Sequence, residues 1–172
     1  TFIQKKTAVS EIDVSSIDIQ FDANITAGNL IVIGILTLTT LATPNFTITD
    51  DLNNDYDTTL PDVSGGLNLR NAIGKIVYAK NVTGGPCTIT VGLSVSSLIM
   101  CCACEYSGMN ITAPEDGNNQ NTGSDSNPTS NIVTISETNE ILFGVLGTDN
   151  IFSTPVITAG LSNDRFNHPG TI

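Results

Sequence analysis

A chain of 172 residues is long enough for one domain with a proper core and too short for two comfortable ones. Apolar residues make up 40% but charged residues only 13%, about half the usual share, so the polar surface has to be built from Thr, Ser, Asn and Gly, the habit of exported β-proteins. Six Lys and Arg against seventeen Asp and Glu give a net charge of −11, which leaves no basic patch and excludes nucleic acid and anionic membrane surfaces as expected partners.

Thr1 to Phe21 carries two period-2 segments around a polar turn, and in SSIDIQF the side chains of Ile17, Ile19 and Phe21 share one face. Ala23 to Asn29 is a turn. Leu30 to Leu38 is a near-continuous, Ile-rich apolar run, which predicts a strand buried on both faces. The longer stretch Leu30 to Leu41 falls short of the roughly 20 residues that cross a bilayer and is broken by Thr, so no membrane insertion is expected.

Asn45 to Thr49 alternates again and runs into the acidic loop DDLNNDYD. The stretch Ala72 to Met109 predicts three consecutive strands, Ile73 to Lys80, Thr88 to Val95 and Leu98 to Tyr106, joined by two tight turns. The first turn is Asn81 to Pro86, where Gly-Gly supplies positive φ at little cost. In the first of these strands Ile73, Lys75, Val77 and Ala79 alternate with Gly74, Ile76, Tyr78 and Lys80. The second set has the larger apolar groups, which places Tyr78 in the core.

Residues 110–131 are polar, without strand pattern, and predict a long, flexible surface loop. Ile132 to Ile135, Glu140 to Leu146 and Val156 to Leu161 complete a count of nine or ten strands, and no 3.6 periodicity persists. Residues 1–172 are therefore expected to form a single all-β domain, an antiparallel β-sandwich of jelly-roll or immunoglobulin-like type. The chain opens on Thr1 and not on Met, from which removal of a leader on export is expected.

Five phrases occur together and in order: TAGNLIVIGI (26–35), TITDDLNNDY (47–56), IVYAKNVTGGPCTITV (76–91), CEYSGM (104–109) and NEILFGVLG (139–147). They resemble a widespread, poorly characterised bacterial secreted domain of jelly-roll or carbohydrate-binding-module type, found in extracellular and phage-associated multidomain proteins. The resemblance covers most of the chain and its motifs are structural phrases, none of them catalytic. It implies a β-sandwich and an exported, non-enzymatic role. In that family the segment matching Ala159 to Phe166 is followed by further strand sequence, whereas here NHPGTI ends at Ile172. The expected result is an open sheet edge, a template for pairing with another chain, with Thr1 to Val9 as the expected strand donor.

The acidic loop sets Asp51, Asn53, Asp55 and Asp57 at alternating positions and Asp62 at the twelfth, which echoes the oxygen spacing of a calcium loop. It lacks the glycine at the sixth position, where Tyr56 stands, and the competing reading is a solvated turn rich in Asx residues. Calcium is the only cofactor the sequence suggests. Cys87, Cys101, Cys102 and Cys104 do not have zinc spacing. Cys102 and Cys104 share a strand face and Cys101 takes the other. One or two disulfides from Cys87 to this group are expected in an exported chain, with buried free thiols as the alternative.

Sequons stand at Asn24, Asn45, Asn81 and Asn110, all near predicted turns and so candidates for glycosylation. His168 is the one histidine and lies beyond the last predicted strand, so neither a two-His metal centre nor a Ser-His-Asp triad can be built. The expectation is a non-enzymatic structural subunit of a secreted, cell-surface or virion-surface assembly, a homo-oligomer formed by strand exchange or edge pairing. The alternative is a carbohydrate-binding or adhesion module, with calcium as a potential aid, for which Tyr56, Tyr78 and Tyr106 are the only tyrosines available to stack a sugar.

Overall fold

The computed structural model describes residues 1–40, 42–65, 71–123, 131–134, 136 and 140–147. Among them seven strands form one all-antiparallel sheet and no helix occurs. The strands are β1 (Phe2–Gln20), β2 (Leu30–Thr39), β3 (Phe46–Asp50), β4 (Tyr56–Asp57), β5 (Val63–Gly65), β6 (Asn71–Ala79) and β7 (Thr88–Tyr106). The sheet order is β1-β7-β2-β6-β4, with β3 also on β7 and β5 also on β6.

The expected three-strand meander is corrected in two ways. Leu98 to Tyr106 is not a separate strand: Thr88 to Tyr106 is one strand of 19 residues. The segment Ser94 to Ser97 between its two halves has no Gly, Pro or Asx to make a tight turn. Nor are β6 and β7 a hairpin, because β2 lies between them and pairs with both. The Asn81 to Pro86 loop instead packs on the 21–29 loop, with Ile25 and Gly85 exchanging backbone hydrogen bonds of 2.9 and 3.0 Å. A Cβ on Gly84 would lie 2.7 Å from the Ala27 nitrogen, so glycine is needed there for close approach of backbones.

The chain's own connectivity forces the sheet to curl. Gln20 pairs with Thr88 at one end of β7, and Leu30 pairs with Tyr106 at the other. Only residues 21–29 join Gln20 to Leu30, a span of at most about 35 Å, whereas a straight β7 would be about 60 Å long. The bend falls where the β1–β7 register shifts, between Ser10 and Ser16 of β1. It brings Lys6 Nζ within 2.5 Å of Asp22 Oδ1, although both belong to the same arm of chain. The result is a half-barrel with a single concave core.

That core is lined by Ile19, Ile31, Ile33, Ile35, Val77, Ile89, Val91, Cys101 and Ala103, with Phe21, Ile25 and Val82 closing one end. Each fully buried Ile or Val contributes roughly 1.5–3 kcal/mol. Ile17, Ile19 and Phe21 share the inward side, as their spacing predicts. On β6 the faces are the reverse of the expectation: Ile73, Lys75, Val77 and Ala79 point inward, and Tyr78 is half-buried outside. Alternation separates the two sets without saying which faces in. Lys75 tolerates the inner face because its ammonium meets Asp62 Oδ1 at 2.5 Å and the Leu60 carbonyl at 3.1 Å.

The run in β2 is covered on both faces, as its sequence predicts. Outside, Phe143 and Val145 lie over Gly34, where an added Cβ would meet Val145 Cγ2 at 2.7 Å. Ile132 to Ile135 and Glu140 to Leu146 were expected as strands; the described part of them is irregular chain outside the sheet ladder. The expected strand Val156 to Leu161, and His168, lie outside the described residues. The described part of the 110–131 loop is exposed and irregular, as expected.

Candidate functional site

Three features outside the apolar core concentrate polar chemistry. They are the acidic loop after β3, an open groove beside β4 and β6, and a buried carboxylate where β1, β7 and the 21–29 loop meet.

The acidic loop is organised by Asp50, a residue the calcium spacing does not include. Its Oδ1 accepts the Leu52 and Asn54 N–H groups, each at 3.0 Å, and its Oδ2 accepts Asn54 Nδ2 and the Tyr56 hydroxyl, each at 2.8 Å. Burial raises the Asp50 pKa, but the bonds from Asn54, Tyr56 and Leu52 outweigh it and hold the carboxyl below its ordinary value. Burial, and then the same contact with Asp50, push the Tyr56 phenol well up. Asn53 takes φ 57°, the left-handed conformation Asn tolerates in tight turns.

Three of the five proposed calcium ligands are turned to different partners. Asp51 Oδ1 accepts the Thr88 N–H at 3.1 Å. Asp57 Oδ1 accepts Thr59 N–H and hydroxyl at 2.9 and 2.6 Å, while its Oδ2 takes the Tyr78 hydroxyl at 3.1 Å. Asp62 is held by Lys75. Asp55 lines the groove and Asn53 occupies the turn. Among the described residues no three His, Cys, Asp or Glu side chains come together as a metal set. The Asx-turn reading accounts for this loop.

The groove has a volume of about 470 Å³ and is lined by Asp55, Asp57, Tyr78, Lys80, Asn81 and Ile111, among others. Burial and the Asp57 carboxylate push the Tyr78 phenol up to about 12. Lys80 Nζ donates to the Thr112 carbonyl at 2.6 Å, which fixes the far wall. The ring of Tyr78 is thus presented at the surface beside carboxylates and an amide.

All four cysteines are buried free thiols. The bridge expected from Cys87 to the other three is not formed. Cys101 faces the core, and Cys102 and Cys104 share the opposite face with sulfurs 3.9 Å apart, far beyond a covalent S–S distance. Burial pushes Cys101 up to about 12; burial, then Asp50, does the same for Cys87. The four sequon asparagines, Asn24, Asn45, Asn81 and Asn110, are all exposed and outside the strands. Asn110 Oδ1 accepts Thr112 and Ala113 N–H, so its loop is an Asx turn.

The buried carboxylate is Glu105, at 0% exposure. Its Oε1 accepts the Thr26 N–H at 2.8 Å and Asn29 Nδ2 at 2.6 Å, and its Oε2 accepts Gln4 Nε2 at 2.6 Å. Three neutral donors therefore tie β1, the 21–29 loop and β7 together. Strand parity gave the signal: Glu105 falls on the same face as Cys101 and Ala103, both core residues.

At the edge of the sheet, β1 is hydrogen-bonded to β7 and, among the described residues, to no second strand. Residues 1–9, the expected donor, are not loose: Phe2 to Ser10 pair with Ile99 to Tyr106 of the same chain. Compared with known proteins, the chain matches no family model, no curated protein and no solved structure.

Proposed function

We propose that this chain is a structural subunit of an extracellular assembly: a filament, pilus-like fibre, or cell-surface or virion layer built by β-strand exchange or edge pairing between copies. What supports this is β1. Its 19 residues lie at the border of the sheet and are bonded on one side only among the described residues. Such an edge is a template for a further strand. Exposed Ile3, Val9 and Ile12 along it add apolar surface that a partner strand would cover. We take the finer architecture to be a jelly-roll or immunoglobulin-like sandwich, the curl of β1 and β7 bringing their two halves face to face across the core. The role is non-enzymatic and belongs outside the cell. Electron microscopy and light scattering over a range of concentrations test it. Ordered particles or a concentration-dependent rise in mass are expected; a monomer at every concentration and ionic strength overturns the proposal.

A second reading is a carbohydrate-binding or adhesion module, favoured by Tyr78 standing half-buried in an open groove beside Asp57, Asn81 and Ile111. In this structure Asp57 and Asp62, two of the five calcium candidates, are engaged by the protein itself. Binding on a glycan array that disappears in Tyr78→Ala supports it; no binding to any glycan removes it.

A further inference from the structure

The two halves of β1 are held by different chemistry. From Val14 to Gln20 the inward residues are Val14, Ile17 and Ile19, which pack in or against the apolar core, Ile19 at 1% exposure. From Gln4 to Ser10 the inward positions are Gln4, Lys6, Ala8 and Ser10; only Ala8 packs against the core, and Gln4 and Lys6 are fastened by polar bonds instead. Gln4 Nε2 binds Glu105 Oε2 at 2.6 Å, and Lys6 Nζ binds Asp22 Oδ1 at 2.5 Å. Phe2 only sets its ring edge-on to Tyr106, at 5.9 Å.

Between the halves the ladder jumps from Ser10↔Ile99 to Val14↔Ser97. Glu11, Ile12 and Asp13 are exposed there, Ile12 at 72%. Opening the first half exposes polar groups that water can satisfy and one small apolar side chain, Ala8, whereas opening the second uncovers Val14, Ile17 and Ile19. Detachment therefore stops at this natural hinge. An exchanged strand makes the same contacts with a second copy that it makes at home, so the closed and exchanged states differ little in free energy.

We infer that residues 2–10 are an exchangeable strand, that the β7 edge from Ile99 to Tyr106 is the acceptor for the same segment of a second copy, and that the Gln4–Glu105 bond is the latch. This rests on the assembly reading above and names its contact surface. Glu105 is suited to the part because its other two donors, Thr26 and Asn29, lie outside the exchanging segment and keep it in place when Gln4 leaves. The acceptor thus stays formed while it is empty.

Hydrogen exchange on the full chain at monomeric concentration tests the latch. The ladder-bonded amides of residues 3–9 should exchange faster than those of residues 17–20. Gln4→Ala should speed the first set by about tenfold and leave the second unchanged. Glu105→Ala would strand three donors and risks unfolding, so Gln4→Ala, which keeps two of the three bonds, carries the test. A fluorescein-labelled peptide TFIQKKTAVS should bind full-length Gln4→Ala saturably and the wild-type chain more slowly. Equal exchange in both halves, or a folded Gln4→Ala chain that takes up no peptide, overturns the inference. Peptide uptake by a chain that never assembles would keep the acceptor edge and overturn the assembly reading instead.

Discussion

Asp50 shows how much one side chain can organise. It accepts four hydrogen bonds from nitrogen and oxygen donors and a longer one from Cys87 Sγ at 3.7 Å, and holds a turn that connects β3 to β4. Asp50→Ala should cost about 1–2 kcal/mol, after allowing for its partial exposure. The folded-state pKa lies below the unfolded value of 3.8. Its stabilisation is therefore complete above that value and is lost as pH falls through the folded-state pKa. Urea unfolding at pH 7 and pH 3 should show the gap between wild type and Asp50→Asn narrowing in acid. Lys75 and Asp62 make a lopsided pair, with side chains 8% and 33% exposed. Asp62→Ala leaves a buried ammonium without its carboxylate and should cost about 1–3 kcal/mol. Lys75→Met keeps the apolar stem and frees Asp62 to reach water, so it should stay within about 1 kcal/mol of wild type. Equal losses in the two variants would refute that asymmetry. The buried thiols give a further check: alkylation at pH 8 should leave Cys87 and Cys101 untouched in the native state, and all four cysteines should react once the chain is unfolded.

At the scale of elements, β2 was the most legible stretch. An unbroken Ile-rich run announces a strand covered on both faces, and Gly34 within it marks where the cover comes closest. Gly34→Ala should push residues 140–147 off the sheet, read as faster proteolysis within that segment. Intact resistance would mean that Val145 can shift aside. The bend in β7 was not legible. It arises from the short 21–29 connection acting on pairings between residues that are some seventy positions apart in sequence, and local pattern carries no such information. The same blindness misplaced Tyr78, because a period of two cannot tell inside from outside. Likewise the alternating oxygen-bearing side chains Asp51, Asn53, Asp55 and Asp57 mimic a ligand set only in one dimension. In space Asp51 turns to β7, Asp57 to Tyr78 and Asp62 to Lys75. Glu105 was readable by parity from Cys101 and Ala103, but its three donors come from parts of the chain that only the fold brings together.

For the whole molecule, the net charge of −11 sets the conditions under which copies can meet. Like charges repel over a Debye length of about 30 Å at 0.01 M salt and about 8 Å at 0.15 M. Association through the β1 edge should therefore strengthen with salt, seen as a rise in scattered light between those two concentrations. A fall would point to attractive charge contacts between copies and against an edge-pairing contact. The excess of acidic over basic residues, legible from composition alone, has this physical consequence even though composition says nothing of which edge is used.

The pairing of Phe2 with Tyr106 also sets a schedule for synthesis. Phe2 to Ser10 leaves the ribosome well before it can find its place, because its partner is made about a hundred residues later. At about 5–20 residues per second, that is a delay of roughly 5–20 s. Throughout it, the β-prone segment Phe2 to Ser10 has no partner strand yet made within its own chain. On a crowded polysome, where neighbouring nascent chains carry the same strand at the same stage, the competition between a chain's own β7 and a neighbour's is settled by timing before it is settled by affinity.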